Sequence, residues 1–215
     1  EQLVDVDVVV FDKTGTLTEG HPSVVDFTIF DQTGSPVKTD APDRLRHLLQ
    51  LSTSLEQGLN HPIAKAIRDF AAEQDVEVID CESWDYRVGR GVVATVNGQT
   101  VLLGNSKLLH EEGVEIWSID SKPELDVATP IYLAVDGLLV GIHYALDRVR
   151  PDTPAMIAEL HRRGIEAHML TGDISSVAHA VAADIGLQPH EVHSDALPDQ
   201  KAELVQKFTA EGKKV

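Results

Sequence analysis

Cysteine is almost absent from this sequence. A single Cys81 among 215 residues excludes an internal disulfide and a thiolate metal cluster. Aromatic residues are sparse, at 5% of the chain. Cations are outnumbered: 18 Lys and Arg stand against 35 Asp and Glu, a formal net charge of −17. A field of that sign repels phosphate backbones, so no nucleic-acid partner is expected. Any anionic ligand must find local basic groups or backbone N–H donors. No Gly-x-x-x-x-Gly-Lys-Ser/Thr loop is present, which rules out P-loop nucleotide binding. No apolar run suits a membrane span either. The longest, 130–146, carries Asp136-Gly137 at its centre, a hairpin signal rather than a buried segment. There is no signal peptide, and the opening Glu1 in place of Met reads as a piece cut from a longer protein.

What remains is ordinary globular material, 42% hydrophobic and 25% charged. The β-branched run 6–11 reads as a strand buried on both faces. It ends in Asp12, at the strand end where open α/β sheets hold their ligands. From residue 22 to about 140 the texture changes. Helices are expected at 44–57, 62–74 and 106–112, and strands at 76–79, 92–96, 100–103, 131–135 and 138–143. The stretch 115–129 reads as a loop. Asn97-Gly98 and Asp136-Gly137 mark tight hairpins. After residue 147 the pattern alternates: helix 151–163, strand 165–170, helix 175–185, a short strand around Val192, helix 198–210. This predicts an α/β fold in which a doubly wound parallel-sheet domain, 1–20 plus 143–215, is split by an α+β domain, 21–142, with an antiparallel sheet.

The residues with chemical potential lie at the joints of this scheme. In Asp12-Lys13-Thr14-Gly15-Thr16-Leu17-Thr18 a carboxylate follows a buried strand. Asp12 could attack a phosphoryl group. Lys13 could offset charge, Gly15 would let backbone N–H groups face phosphate oxygens, and Thr14 and Thr16 could donate hydroxyl hydrogens. A lone Asp there would be a turn former. Thr171-Gly172-Asp173 follows a second strand and opens a helix, where backbone N–H groups suit a phosphoryl oxygen. Taken alone it is also a helix cap. In the inserted domain, Asn60-His61-Pro62 starts a helix with Asn60 as the expected N-cap. Gly89-Arg90-Gly91-Val92-Val93-Ala94 matches a dinucleotide fingerprint literally, but the alternating residues after it lead into a hairpin, not a helix, so that reading fails. Ten histidines are scattered. His190 and His193 have ligand-like spacing, though exposed loop histidines are far commoner.

The Asp-Lys-Thr-Gly-Thr-Leu-Thr run resembles the signature of the P-type ATPases, within the haloacid-dehalogenase-like superfamily. His61-Pro62, with Glu56 five residues earlier, is similar to the motif of the heavy-metal class, although Leu59-Asn60 stands where that class usually has Ser-Glu. The resemblance implies an ATP-driven cation pump in which Asp12 becomes an aspartyl-phosphate. It implies phosphate contact by Thr171 and Gly172, interdomain docking by Asp173, and charge neutralisation by Lys201 in Pro198-Asp-Gln-Lys201. It places Mg²⁺ at Asp12 and Thr14, and ATP at Glu56, His61, Gly89, Gly91, Gly104 and Asn105. Asp147-Arg-Val-Arg-Pro151 is similar to the family's hinge segment. Superfamily phosphatases usually carry a second Asp two positions after the nucleophile; Thr14 stands there, which suits a slowly hydrolysed phosphoenzyme. The family's Gly-Asp-Gly-x-Asn-Asp strand does not occur, so impaired phosphorylation is expected of this chain alone. The implied partners are membrane helices and an actuator domain of a parent chain, with the transported metal bound elsewhere, and the implied setting is the cytoplasmic side of a membrane protein. Two alternatives are a capped phosphomonoesterase of the same superfamily and a nucleotide-sensing module without catalysis.

Overall fold

The computed structural model describes residues 6–37, 42–117, 123–196 and 198–215. The chain forms two compact units. One comprises Glu1–His21, Lys122–Thr129 and Asp147–Val215; the other comprises Pro22–Ser121 and Pro130–Leu146.

The first unit is built on a parallel sheet of β1 (Val8–Asp12), β8 (Glu166–Leu170) and β9 (Val192–His193), in the order β1-β8-β9. Three helices belong to it: α4 (Thr153–Arg162), α5 (Ser175–Ile185) and α6 (Pro198–Ala210). The core packs Leu17, Ile157, Ala167, Met169 and Ala178 with Val181 and Ile185. β8 shows buried residues at four consecutive positions, as a strand covered on both faces should. α5 stops where Gly186 enters the left-handed region, φ +83°.

The second unit holds a six-stranded antiparallel sheet, in the order β2-β7-β6-β5-β4-β3. Its strands are β2 (Ser23–Ile29), β3 (Ser83–Arg87), β4 (Gly91–Val96), β5 (Gln99–Gly104), β6 (Thr129–Val135) and β7 (Leu138–Leu146). The helices are α1 (Pro42–Leu55), α2 (Pro62–Ala72) and α3 (Ser106–Glu111). The β4–β5 and β6–β7 connections place Asn97-Gly98 and Asp136-Gly137 at positive φ, the requirement of a two-residue hairpin turn. One core cluster joins Leu48, Leu51 and Leu55 of α1 to Val92, Ala94 and Leu103 of the sheet.

Three local expectations fail. Residues 76–79 form no strand. The side chains of Val76 and Ile79 pack on the core, but the backbone is bonded by α1: Gln50 Nε2 donates to the Glu77 carbonyl at 2.9 Å, and Ser54 Oγ accepts from Ile79 N at 3.0 Å. The edge strand is β3 instead. β2 was not foreseen, because its register shifts between Val24 and Asp26 and breaks the alternation that would betray it. At α2 the N-cap residue is His61, not Asn60, and no side chain caps it.

One buried histidine tests the packing. His143 on β7 is fully buried and stacks on Phe27, with centroids 3.9 Å apart and planes within 4°. Ser52 Oγ lies 3.0 Å from the Leu48 carbonyl and gives it its only hydrogen, so His143 Nε2 must donate to Ser52 Oγ at 2.8 Å. His143 Nδ1 then faces the core as an unpartnered acceptor. Burial drives its pKa down to about 3 from the ordinary 6.5. The unfolded chain takes up this proton near pH 6.5 and the folded chain only near 3, so stability falls as pH drops through that interval. The unfolding temperature should therefore fall from pH 7 to pH 5. His143→Phe, which keeps the stack, should lose less over the same range; equal slopes would rule out His143 as the origin.

Candidate functional site

The register of the parallel sheet sets Asp12 opposite Leu170. The two strand ends therefore deliver Asp12 and Thr171 side by side, at the carboxyl edge where such sheets bind ligands. Asp12 is exposed, as are Thr14, Gly15 and Thr16. Residues Lys13–Leu17 form one wide turn, with Gly15 at φ +76°.

That turn is held from behind. Thr18 is fully buried; its Oγ1 accepts from Gly15 N at 3.1 Å and lies 2.5 Å from Asp147 Oδ2 and 3.0 Å from the Lys13 carbonyl. Asp147 Oδ1 accepts from Gly20 N at 2.9 Å. Arg150 donates through Nε to the Thr16 carbonyl and through Nη2 to the Gly15 carbonyl, both at 3.1 Å. Thr153 Oγ1 donates to the Leu17 carbonyl at 2.9 Å. The segment read from sequence as similar to a hinge clamps the Asp12–Thr18 loop. Sequence reasoning assigned no role to Thr18, because its partner lies at the far end of the inserted domain.

Lys13 is buried, and its Nζ lies 2.6 Å from Asp173 Oδ2. Asp173 also accepts from Thr171 Oγ1 at 2.7 Å and from Thr129 Oγ1 at 2.9 Å. Burial alone would raise the Asp173 pKa; the Lys13 charge and these hydrogen bonds outweigh it and hold the carboxylate below its ordinary value. The charge of Lys13, expected to offset that at Asp12, is matched by Asp173. Gly172 is exposed beside them. Lys201 falls in the first turn of α6, and its side chain lies outside the described residues. His193 Nε2 sits 3.1 Å from His168 Nδ1, but no group of three or more potential metal-binding side chains occurs among the described residues.

The predicted nucleotide residues gather on the second unit. Gly91 starts β4 and Gly104 ends β5, paired in register. A Cβ on Gly91 would lie 2.2 Å from the Leu103 carbonyl oxygen, and one on Gly104 would lie 2.3 Å from that of Arg90. Both glycines are demanded by this close approach of two backbones. Gly89, at φ +69°, is different: a Cβ there would meet open space. Asn105 Nδ2 donates to the Gly89 carbonyl at 2.9 Å, and its Oδ1 accepts from Leu108 N at 3.1 Å, capping α3. Asn105 thus ties the glycine turn to the following helix.

Glu56 directly follows α1 and is 7% exposed; His61 is exposed. Leu55, before Glu56, shares a core cluster with Val92 and Leu103, the neighbours of Gly91 and Gly104. Arg68 Nη1 donates to the Glu56 and Leu59 carbonyls, fixing the loop that leads to His61. Desolvation raises the Glu56 pKa to about 7, against a lowering by the Arg68 charge. Desolvation also lowers the pKa of His61.

Two stability predictions follow from these geometries. Thr18→Val takes the Thr18 hydroxyl away from Asp147 Oδ2 and from Gly15 N–H, and should cost about 1–3 kcal/mol in denaturant titration, with Thr18→Ser close to wild type. Glu56 keeps its proton to about pH 7 when folded but only to 4.5 when unfolded. Its contribution is therefore full below pH 4.5 and lost as pH rises through 7. Glu56→Gln should be more stable than wild type by about 1–3 kcal/mol at pH 8 and show little advantage at pH 4.

Comparison with known proteins agrees with this architecture. Residues 6–215 match the hydrolase family described as haloacid dehalogenase-like hydrolase. A copper-exporting P-type ATPase of Vibrio cholerae serotype O1 is 36% identical over 213 residues, covering 98% of this chain and 22% of that protein. The chain thus spans under a quarter of that relative's length. Among solved structures, the catalytic domain of a CPx-ATPase matches with TM-score 0.70 at 23% identity, over 97% of this chain and 68% of that one. A zinc-transporting PIB-type ATPase in an E2.Pi state matches with TM-score 0.56 at 30% identity, over 98% of this chain and 32% of that one. No helix among the described residues is long and apolar enough to cross a membrane. With a match that spans residues 6–215, and so includes Asp12 and the Thr171–Asp173 strand end, the chain belongs to the haloacid dehalogenase-like hydrolases.

Proposed function

We propose that this chain is the ATP-binding and phosphorylation portion of a P-type ATPase that pumps a heavy-metal cation. The observation that carries the reading is the register that sets Asp12 beside Thr171, at the ends of two parallel strands. Named relatives that export copper, and a zinc-transporting structural neighbour, supply the cargo class.

In this reading a carboxylate oxygen of Asp12 attacks the γ-phosphorus of ATP. The bond to the β,γ-bridging oxygen breaks, ADP leaves with that electron pair, and an acyl phosphate remains on Asp12. Gly15 N–H is spent on Thr18 Oγ1, Thr171 N–H on the His193 carbonyl and Asp173 N–H on Thr171 Oγ1. The N–H groups of Thr14 and Thr16 in the exposed turn after Asp12, and of Gly172 in the turn before α5, are those that would face phosphoryl oxygens. The Thr18–Asp147–Arg150 clamp holds the first of these turns in shape. Lys201 adds positive charge. Asp12 and Thr14 together offer two oxygen donors, which suits Mg²⁺, an ion commonly held by one or two protein oxygens plus substrate phosphates. When bound, it would neutralise charge on the transferred group. Thr14 cannot act as a general base, so the acyl phosphate outlives the transfer step. The remainder of the parent protein, with membrane helices and an actuator domain, would couple that intermediate to transport.

ATP is held on the second unit, by Glu56 and His61 on one side and by the Gly89–Gly91 turn with Gly104 and Asn105 on the other. Calorimetry tests this. Gly91 is unsuitable for substitution, since any side chain collides with Leu103, but Gly89 has open space. Wild type should bind ATP, and His61→Gln and Gly89→Asp should each bind at least about tenfold more weakly, on the order of 1.4 kcal/mol. The unfolding temperature should be unchanged in His61→Gln and somewhat lowered in Gly89→Asp, because φ +69° strains any residue with a side chain. Absence of ATP binding, together with turnover of small phosphomonoesters, would replace the pump reading with a capped phosphatase.

A further inference from the structure

Strand β3 is the edge of the six-stranded sheet and carries an uncommon exposure. Trp84 and Tyr86, at alternate positions, are 44% and 40% exposed. Their cross-strand neighbours Ala94 and Val92 are fully buried in the cluster formed with α1. The two aromatic side chains therefore extend the helix-covered face of the sheet beyond the helix that covers it.

The rings are ordered, not loose. Trp84 Nε1 donates to the Leu55 carbonyl at 2.8 Å, which ties the indole to the residue before Glu56. Tyr86 lies nearly parallel to it, with centroids 6.2 Å apart and planes within 16°. Arg87, next along the strand, pairs with Gly91. The pair thus spans from the end of α1 to the glycine turn, the two halves of the ATP site proposed above. A cavity of about 330 Å³ opens against Trp84, lined also by Ser54, Gln57, Gly58, Ile79, Asp80 and Cys81; it adjoins the Glu56–His61 loop through Gln57 and Gly58, and Tyr86 lies outside its lining. A flat, fixed, half-exposed aromatic surface beside a cavity suits a flat ligand, since base–aromatic stacking needs only a π-face and little ordering of the protein.

We infer that Trp84 and Tyr86 form an aromatic wall on which the purine base of the nucleotide stacks. This rests on the ATP-site reading and assigns two binding residues to it. The wall would select the base, while the glycine turn serves the rest of the nucleotide. Purine nucleotides should bind more tightly than pyrimidine ones, because the larger ring system covers more of the wall.

The experiment is ATP, UTP and tripolyphosphate binding to the whole chain by calorimetry, with Trp84 emission as a second readout in a Trp117→Phe background. ATP should quench that emission and tripolyphosphate should not. Tyr86→Ala should weaken ATP about tenfold, Tyr86→Phe should retain wild-type affinity, and tripolyphosphate binding should be the same in all three proteins. Trp84→Phe, which keeps a ring but loses the bond to Leu55, should fall between them. Tyr86 is a half-exposed edge residue, and equal unfolding temperatures for the two Tyr86 variants will confirm that affinity is being read. If ATP binds wild type with the expected His61→Gln sensitivity while Tyr86→Ala binds equally well and ATP leaves Trp84 emission unchanged, the wall is wrong and the ATP site stands. If wild type binds no ATP, both fall.

Discussion

The buried pairing of Lys13 with Asp173 is the contact on which the first unit's candidate site depends. Each belongs to a loop at the end of a parallel strand, one directly after Asp12 and the other two residues after Thr171. Their 2.6 Å contact fixes the two loops to each other. Removing one partner would leave a buried charge without compensation, a loss typically of about 3–5 kcal/mol. The pair also sets the electrostatics. With Lys13 matched to Asp173, and Asp173 further held by Thr171 and Thr129, the cation adjacent to Asp12 in sequence is not simply a counterion for it. In the proposed reading, an incoming phosphoryl group would be met by backbone N–H groups and by charge from elsewhere in the chain.

The second unit solves a different problem with the same economy of residues. Gly91 and Gly104 exist because two backbones touch, which makes them structural before they are anything else. That close approach leaves the Arg87–Gly91 turn projecting, and Asn105 holds it by a bond to the Gly89 carbonyl. Glu56 is the strained member. A carboxyl group 7% exposed, with its pKa near 7, is poorly placed for stability. Such residues persist where a site needs a polar group in an apolar wall. Trp84, bonded to the carbonyl just before it, joins that wall to the glycine turn.

Much of this was legible in the sequence wherever a local rule acted alone. Asn97-Gly98 and Asp136-Gly137 declare their hairpins because two consecutive positive φ values demand such residues. Helix α5 ends at Gly186, and α6 begins at Pro198, where their breakers stand. Asp12 and Thr171 are conspicuous because polar residues abruptly end buried runs. The failures share a cause as well. β2 has a bulge that hides its period, and residues 76–79 have the composition of a strand but spend their backbone bonds on α1 side chains. The clamp from Asp147, Arg150 and Thr153 onto the Asp12–Thr18 loop joins segments separated by the whole inserted unit, so no window of sequence contains it. The same holds for the Trp84–Leu55 bond, without which two aromatic residues on an edge strand look like ordinary surface.

The strong negative charge, at first an argument against phosphate-bearing ligands, finds its place in this arrangement. Of the cations at the two candidate sites, Lys13 is paired with Asp173, Arg87 with Asp85 and Glu112, and Arg90 with Glu111. Arg150 and Arg68 are turned onto backbone carbonyls. In the proposed reading, recognition of an anion would then fall, beside Lys201, chiefly to backbone N–H groups in glycine-bearing turns and at the start of α5, which carry partial charge without adding a basic patch. Such donors act over a few ångströms and only in one geometry, whereas a basic patch attracts every polyanion. In the reading proposed above, a −17 chain that binds phosphate through turns would gain selectivity for a ligand with something else to offer, and a purine stacked on an aromatic wall would meet that condition.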